Sequence, residues 1–312
     1  MTKMSAESFN AARTYIMTHG RPVDQARFAF HFERGDIAAV LRALTAYQNP
    51  DGGFGHAIEP DIRTPASSAI ATSTGLAILT EVGAAAAEPL VMEAIRYLLD
   101  TYDAVREVWP IVPPAVEDAP HAPWWTYAET EAAFNGFLVN PRASLVGHLY
   151  HFTAGQGAAA TLLAKVSQSL LAHIETIPDD DMGMHDLLCT LELAQADNLP
   201  SSMRQPLIDK LRRVGPHAVE TDPAGWAEYA LQPLQVAPAP DSLLAASIDR
   251  SAVDANLDYV IERQTADGCW PLTWSWDFID AVAWAQAEKE WQGFHAVNQL
   301  RTLAAYGRLP IA

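Results

Sequence analysis

The chain has 312 residues, 49% of them hydrophobic, which is ample for a continuous core. A formal net charge of −18, with no basic patch interleaved with aromatic residues, makes nucleic acid an unsuitable partner. The two cysteines lie far apart and outside metal-binding spacing, and no apolar signal segment follows Met1, which predicts a reduced, cytoplasmic protein.

Helical periodicity begins near the N-terminus. Apolar residues recur at helical spacing over residues 6–19 and 23–32, and Gly20-Arg21-Pro22 separates the two runs, which predicts a helical hairpin. Asp36 is a predicted N-cap for the next helix. Pro65 is predicted to open a helix over residues 67–79. A stripe of small residues on that helix leaves room for close packing or a cavity: Ser67, Ser68, Ala71, Thr72 and Gly75.

The rest of the chain continues in the same way. The proline-rich segments 109–123 and 236–240 are predicted to be irregular. Helices are predicted over residues 89–102, 141–152, 158–174, 184–193, 203–214, 226–234, 253–263 and 280–306, the last with a break near Gly293. About a dozen helical segments with almost no period-2 alternation predict an all-α fold. Helices joined in pairs suggest stacked α-hairpins.

One turn sequence occurs twice. We call residues 47–55, Tyr-Gln-Asn-Pro-Asp-Gly-Gly-Phe-Gly, the first clasp, and residues 263–270, Arg-Gln-Thr-Ala-Asp-Gly-Cys-Trp, the second clasp. In each copy a glutamine closes an apolar-periodic run, Asp-Gly supplies a positive φ, and a large ring follows. This pattern predicts a connection between successive helices.

The clasps resemble the QW motifs of the terpenoid cyclase and protein prenyltransferase superfamily. The second clasp fits the motif with Tyr259, Val260, Gln264, Gly268 and Trp270, and the first keeps Gln48, Gly52 and Phe54 without the leading aromatic residue. The resemblance covers residues 37–79 and 253–309. It implies a single domain over residues 1–312, an (α/α)6 toroid of about six helical hairpins around an apolar central cavity. It also implies that the clasp residues are structural: Gln48, Asp51, Phe54, Gln264, Asp267 and Trp270.

The chain departs from the superfamily in its acidic motifs. No Asp-x-Asp-Asp occurs, and the run at residues 179–181 is interpreted as a solvated, helix-capping loop. Asp267, Cys269 and His295 imitate the zinc ligands of protein prenyltransferases. Cys269, however, lies inside the second clasp, away from the position that binds zinc in that family. We therefore expect neither zinc nor another cofactor.

The loop after the first clasp is the first candidate for chemistry. His56, Glu59 and Asp61 lie within a few residues of each other, and loops on rigid scaffolds carry function. A carboxyl group with its pKa raised by apolar surroundings could act as a general acid towards an alkene or epoxide, with His56 tuning it. Alternatively, Glu59 and Asp61 pair with Arg63 and cap the following helix.

The segment after the second clasp is the second candidate. Asp277 and Asp280 lie beside Trp274 and Trp276, and aromatic faces stabilise cations. Alternatively, the tryptophans fill the core and Asp280 caps the next helix. Three further aromatic residues are predicted to line the same cavity or to fill core: Trp124, Trp125 and Tyr127.

Together these features predict a cyclase-like isomerase or lyase, or a prenyl transferase, that acts on an isoprenoid or similarly apolar small molecule by acid catalysis in an aromatic-lined cavity. One alternative is a non-catalytic binding or scaffold protein that kept the toroid, in which the four candidate acids are exposed or paired. Another is a carbohydrate-active α/α-barrel enzyme with two carboxylates in an open polar cleft. The apolar stretches are too short to span a bilayer, which leaves a peripheral membrane contact open.

Overall fold

A computed structural model describes residues 2–132 and 138–310, and helices account for all regular elements within these ranges. The α-helices are α1 (Ala6–His19), α2 (Pro22–Phe32), α3 (Ile37–Leu44), α4 (Ala69–Glu81), α5 (Pro89–Thr101), α6 (Tyr127–Ala132), α7 (Arg142–Thr153), α8 (Ala159–Thr176), α9 (Met184–Gln195), α10 (Ser201–Ala218), α11 (Pro233–Val236), α12 (Arg250–Glu262) and α13 (Ala281–Ala305). Extended backbone pairs only as isolated bridges in the described ranges, for example between Gln48 and Phe54. The all-α prediction is confirmed.

The chain divides into two compact units. Unit 1 contains Met1–Ala43 and Gly215–Ala312, and unit 2 contains Leu44–Val214. In unit 1, the long helix α13 packs against α1 and α2. In unit 2, α7 packs against α4, α5, α8 and α9, and its residues are buried on nearly every side, as expected for a helix at the centre of a bundle.

Several helix starts follow from capping residues. The hydroxyl of Ser5 accepts a hydrogen bond from the Ser8 amide at 3.0 Å and begins α1. Asp36 Oδ1 accepts from the Ala39 amide at 2.8 Å, as predicted. Helix α4 begins at Ala69, two residues later than predicted, because the Ser68 hydroxyl accepts from the Ala71 amide at 3.1 Å and is its N-cap.

Two predicted features are wrong. The helix predicted over residues 226–234 is replaced by turns and the short α11, because Pro233 disfavours helical backbone at Gln232. Gln232 instead forms a capping box with Gln235. The break predicted near Gly293 does not occur, since α13 continues through it. A Cβ at Gly293 would lie 2.8 Å from the Cα of Gly20, so this glycine lets α13 approach the end of α1 closely.

Candidate functional site

The glutamines of the two clasps form equivalent pairs of hydrogen bonds. In unit 2, Gln48 Nε2 donates to the carbonyl oxygens of Gly52 and Leu90, both at 2.9 Å. In unit 1, Gln264 Nε2 donates to the carbonyl oxygens of Gly268 at 3.1 Å and Ser8 at 3.0 Å. Each glutamine therefore closes its own turn and ties that turn to the start of a helix, α5 or α1.

The clasp glycines dock on those same helices. Gly52 and Gly268 have φ values of 91° and 93°. A Cβ on Gly52 would lie 2.3 Å from the carbonyl oxygen of Glu93, and a Cβ on Gly268 would lie 2.3 Å from that of Ala11. Each oxygen is three residues beyond the carbonyl that the glutamine contacts, which is about one helical turn. Helix α1 thus has the same role for the second clasp as α5 has for the first.

The rings of the clasps are buried. Phe54 lies against Gly75 of α4, where a Cβ would be 2.7 Å from the ring, and its amide donates to Thr72 Oγ1 at 3.0 Å. The stripe of small residues on α4 therefore accommodates the first clasp. In the second clasp, Trp270 Nε1 donates to the carbonyl oxygen of Val260 at 2.7 Å.

The two clasp aspartates differ in their hydrogen bonds. Asp51 Oδ1 accepts from the Gly53 amide at 2.9 Å and from the Ser67 hydroxyl at 2.8 Å, which shapes the first turn. Asp267 is exposed on the surface of unit 1.

The loop after the first clasp buries both of its acidic side chains. Glu59 is 6% exposed and Asp61 is 3% exposed. Earlier in the same loop, His56 and Ala57 have left-handed backbone with φ values of 54° and 60°. Backbone of this kind is strained in residues other than glycine and is concentrated at functional sites.

His56 does not share the burial of these acids. Its ring is exposed, and Nε2 lies 2.8 Å from Asn49 Oδ1 in the first clasp. The loop backbone is held by the Ala122 amide, which donates to the Asp61 carbonyl oxygen at 2.9 Å. The tuning of a carboxyl group by His56 stays a prediction.

The acids after the second clasp have structural partners. Asp280 Oδ1 accepts from the amides of Val282 at 3.0 Å and Ala283 at 2.9 Å, and it is the N-cap of α13. Asp277 is exposed and accepts from the Ser275 hydroxyl at 2.6 Å. These contacts agree with the capping alternative for Asp280.

The aromatic residues of the same segment separate into core and half-buried positions. Trp276 is fully buried, with its ring 5.6 Å from that of Trp284. Trp274 is half-buried and is part of a group that we call the aromatic cluster: Tyr229, Trp274, Trp291, Phe294 and His295. Of these five residues, only Trp274 is predicted from the sequence to line a cavity. The four-residue spacing of Trp291 and His295 on α13 is a sequence signal that could have placed these two rings together.

His295 is the titratable member of the aromatic cluster. Burial lowers its pKa to about 4; the charge of Asp24 opposes this change and the charge of Arg27 adds to it. Its Nε2 atom is buried without a hydrogen-bond partner, and its ring stacks on Trp291 at 5.5 Å. His295 is therefore neutral at pH 7.

Buried charges lie beside the aromatic cluster in unit 1. Asp24 accepts from Arg21 Nε at 2.7 Å and from an Arg27 guanidinium nitrogen at 3.1 Å. Arg27 also donates to Asn298 Oδ1 at 2.7 Å, and its Cζ lies 4.6 Å from the centre of the Phe294 ring. These paired charges are buried and fix the position of α2 against the Phe294 ring of α13.

The second clasp also borders a pocket in unit 1. Its lining residues are Trp226, Gln232, Tyr259, Val260, Arg263, Trp270, Pro271, Thr273 and Gln299. Trp270 therefore lines this pocket and also donates the hydrogen bond to the Val260 carbonyl oxygen. The Arg263 guanidinium lies 5.9 Å from the Tyr259 ring.

The aromatic residues predicted in the middle of the chain lie in unit 2. Trp124 is 38% exposed, whereas Trp125 is buried and its Nε1 has no hydrogen-bond partner. The Tyr127 amide donates to Glu117 Oε1 at 2.6 Å. Burial of Trp125 agrees with core filling.

In the described ranges, no three His, Cys, Asp or Glu side chains come together as a metal site. Asp267, Cys269 and His295 accordingly form no such group, and Cys269 Sγ instead lies 3.3 Å from Thr265 Oγ1. The acidic run at residues 179–181 does not cap α9, whose N-cap is Gly183. Its first residue, Asp179, pairs with Lys210 at 2.6 Å.

Comparison with protein-family models, curated proteins and solved structures found no match to this chain. Among the described helices, none combines the length and apolar character needed to cross a bilayer.

Proposed function

We propose that this chain is a terpenoid-cyclase-like enzyme, an isomerase or lyase, that protonates an isoprenoid or similarly apolar small molecule. The observation that carries the proposal is the burial of Glu59 and Asp61 on a loop with two left-handed residues, His56 and Ala57. Buried carboxyl groups and strained backbone both concentrate at functional sites. A general acid must carry a proton, and we assign that role to Glu59 or Asp61.

After protonation, the proposed reaction depends on aromatic rings that stabilise the carbocation. Protonation of an alkene carbon leaves a carbocation, which aromatic faces stabilise. Unit 2 offers such a face in Trp124, which is 38% exposed and lies two residues after Ala122, whose amide donates to the Asp61 carbonyl oxygen. The cation closes a ring and then loses a proton from another carbon, so the product is an isomer of the substrate and no other reactant is consumed.

We further propose that the helices are arranged as an (α/α)6 toroid, with the substrate in its central cavity. The repeated clasp supports this arrangement, because Gln48 docks on α5 and Gln264 docks on α1. In a closed ring of hairpins, the first hairpin must contact the last one. The contact of Gln264 with α1 is a contact of this kind, because α1 lies near the N-terminus and the second clasp lies near the C-terminus.

A second candidate function is non-catalytic binding of the same class of molecule. The observation that favours it is the use of Asp280 as a helix cap and the exposure of Asp277, which leave the segment after the second clasp without a buried acid in the described structure.

An experiment in D2O separates the two functions. The purified protein is incubated with linear isoprenoid hydrocarbons and epoxides, and products are analysed by mass spectrometry. Acid catalysis incorporates one carbon-bound deuterium into each product molecule made from a hydrocarbon. With an epoxide, the deuteron goes to the hydroxyl oxygen and exchanges, so that product is identified by its cyclised structure. One of the two substitutions Glu59→Gln and Asp61→Asn removes the proton donor and is expected to lower the rate by about 10²–10⁴-fold. The matched control Asp277→Asn is expected to keep the wild-type rate.

Binding is measured in parallel by quenching of tryptophan fluorescence. Saturable binding without any deuterated or cyclised product would establish the second candidate. Turnover that both Glu59→Gln and Asp61→Asn leave unchanged would show that the proton donor lies elsewhere.

A further inference from the structure

Arg142, the first residue of α7, is a buried cation without a carboxylate partner in the described structure. The residue is 6% exposed. One terminal guanidinium nitrogen donates to Ser169 Oγ at 2.6 Å, but Nε is buried and has no hydrogen-bond partner. Burying a charged group is costly unless it is paired and fully hydrogen-bonded. Among the described residues, the guanidinium therefore has no carboxylate in direct contact.

A second orphaned donor comes from another element of unit 2. Tyr102 follows the last residue of α5, and its hydroxyl is also buried without a hydrogen-bond partner. Burial raises the pKa of Tyr102, and the nearby charge of Arg142 opposes that change. Two unsatisfied donors on separate elements thus lie within electrostatic range of each other, and such groups call for a bound water or ion.

Glu107, whose charge acts on Arg142, is already paired with another residue. Glu107 Oε1 pairs with Lys165 Nζ at 2.8 Å, and both side chains are at least one-third exposed. Glu107 acts on Arg142 only at longer range. Within the described residues, the positive charge of Arg142 is consequently not compensated by direct contact with a carboxylate, because Glu107 is occupied by Lys165 of α8.

The N-terminus of α7 adds to the positive electrostatic potential around Arg142. Its N-cap is Pro141, and no side chain caps the first turn. The N-terminus of a helix favours negative charge through its free amides and dipole. A guanidinium, a phenol and the first turn of a helix together supply hydrogen-bond donors, and the oxygen atoms of a carboxylate or phosphate accept hydrogen bonds from such groups.

We infer that Arg142 and Tyr102 form a binding site for a small oxyanion, the carboxylate or phosphate group of a small molecule, in unit 2. Arg142 Nε and the Tyr102 hydroxyl donate to the oxyanion, and Ser169 holds the guanidinium in place. The site is separate from the acids of the proposed reaction, and binding here does not depend on that reaction.

Isothermal titration calorimetry of the full chain tests the site with inorganic phosphate and with acetate, each at constant ionic strength against chloride. We expect saturable binding of at least one of them, and the preferred anion identifies the group that the site recognises. Arg142→Gln is expected to weaken binding at least about tenfold and Tyr102→Phe about threefold, in line with the loss of a charged and a neutral hydrogen bond. The matched control Arg250→Gln, at an exposed arginine of α12, keeps wild-type affinity.

Thermal denaturation of every variant checks that it folds. If Arg142→Gln does not fold, Tyr102→Phe decides alone, because the phenyl ring preserves the packing. No saturable binding of either anion, or equal affinity in wild type and Tyr102→Phe, overturns the site and leaves Arg142 hydrated by water.

Discussion

Gln48 and Gln264 make the same two hydrogen bonds, one to a glycine carbonyl four residues later and one to a carbonyl near the start of a helix. For Gln48 that helix, α5, follows in the sequence. For Gln264 it is α1, which precedes the glutamine by most of the chain. The two copies are therefore related by contacts as well as by sequence.

Gly268→Ala is expected to lower the free energy of unfolding by about 3 kcal/mol or more. The substitution adds a left-handed alanine, which costs about 1–2 kcal/mol, and a Cβ 2.3 Å from the Ala11 carbonyl oxygen, which forces the backbone to shift. Urea denaturation measures the loss. The matched control is Gly83→Ala, with a φ of 69° and open space around the new Cβ, and it is expected to cost only the conformational part. Equal losses for the two variants would contradict the close docking of the second clasp on α1.

Asp24→Asn is expected to cost about 3–5 kcal/mol, because Asp24 is fully buried and accepts from both Arg21 and Arg27. The asparagine preserves the shape but removes the negative charge between two buried guanidinium groups. Chemical denaturation with circular dichroism gives the difference. Arg13→Ala, which breaks the exposed pair with Glu33, is the comparison and is expected to cost about 1 kcal/mol or less.

His295 is expected to make the protein less stable as the pH falls. Its folded-state pKa is about 4, below the ordinary value of 6.5, so the unfolded chain binds more protons between these values. The contribution is fully present above pH 6.5 and is lost as the pH drops through about 4. Unfolding curves at several pH values should show a weaker decline in this window for His295→Phe. An identical decline in both proteins would show that the ring is solvated.

Asp186 is expected to have the opposite pH dependence. Burial raises its pKa to about 6 from 3.8, although the Asn140 amide opposes the change. The folded state binds more protons between these values, so stability falls as the pH rises from 3.8 to 6. Asp186→Asn should therefore raise the free energy of unfolding by about 1 kcal/mol at pH 7 and have little effect at pH 4. A destabilised variant at pH 7 would mean that the ionised carboxylate is favoured in the fold.

Local signals were enough to predict many helices. The bounds of α1 follow from the Ser5 cap and the Gly20 stop, and Pro89 marks the start of α5. Asp36 was recognised as a cap because the hydrogen bond that it makes lies within three residues. Such features depend on neighbours in the sequence and need no knowledge of the fold.

Long-range packing was beyond these signals. Gly293 was interpreted as a break because glycine is a weak helix former, but its reason is the approach of Gly20 from another part of the chain. The charges of Arg21, Asp24 and Arg27 follow helical spacing, which is equally typical of a solvated face. Only the fold places them beside Phe294 and His295, and Trp274 is the one member of the aromatic cluster that the sequence singles out as a cavity-lining candidate.

Docking of Gln264 on Ser8 has a consequence for synthesis on the ribosome. Unit 2 is one continuous segment, Leu44–Val214, whereas unit 1 joins both ends of the chain. Helix α1 is translated before unit 2, whereas the turn that binds it is translated after unit 2. The apolar side chains of α1, including Tyr15 and Ile16, therefore lack their contacts with that part of unit 1 while the middle of the chain is synthesised and folds.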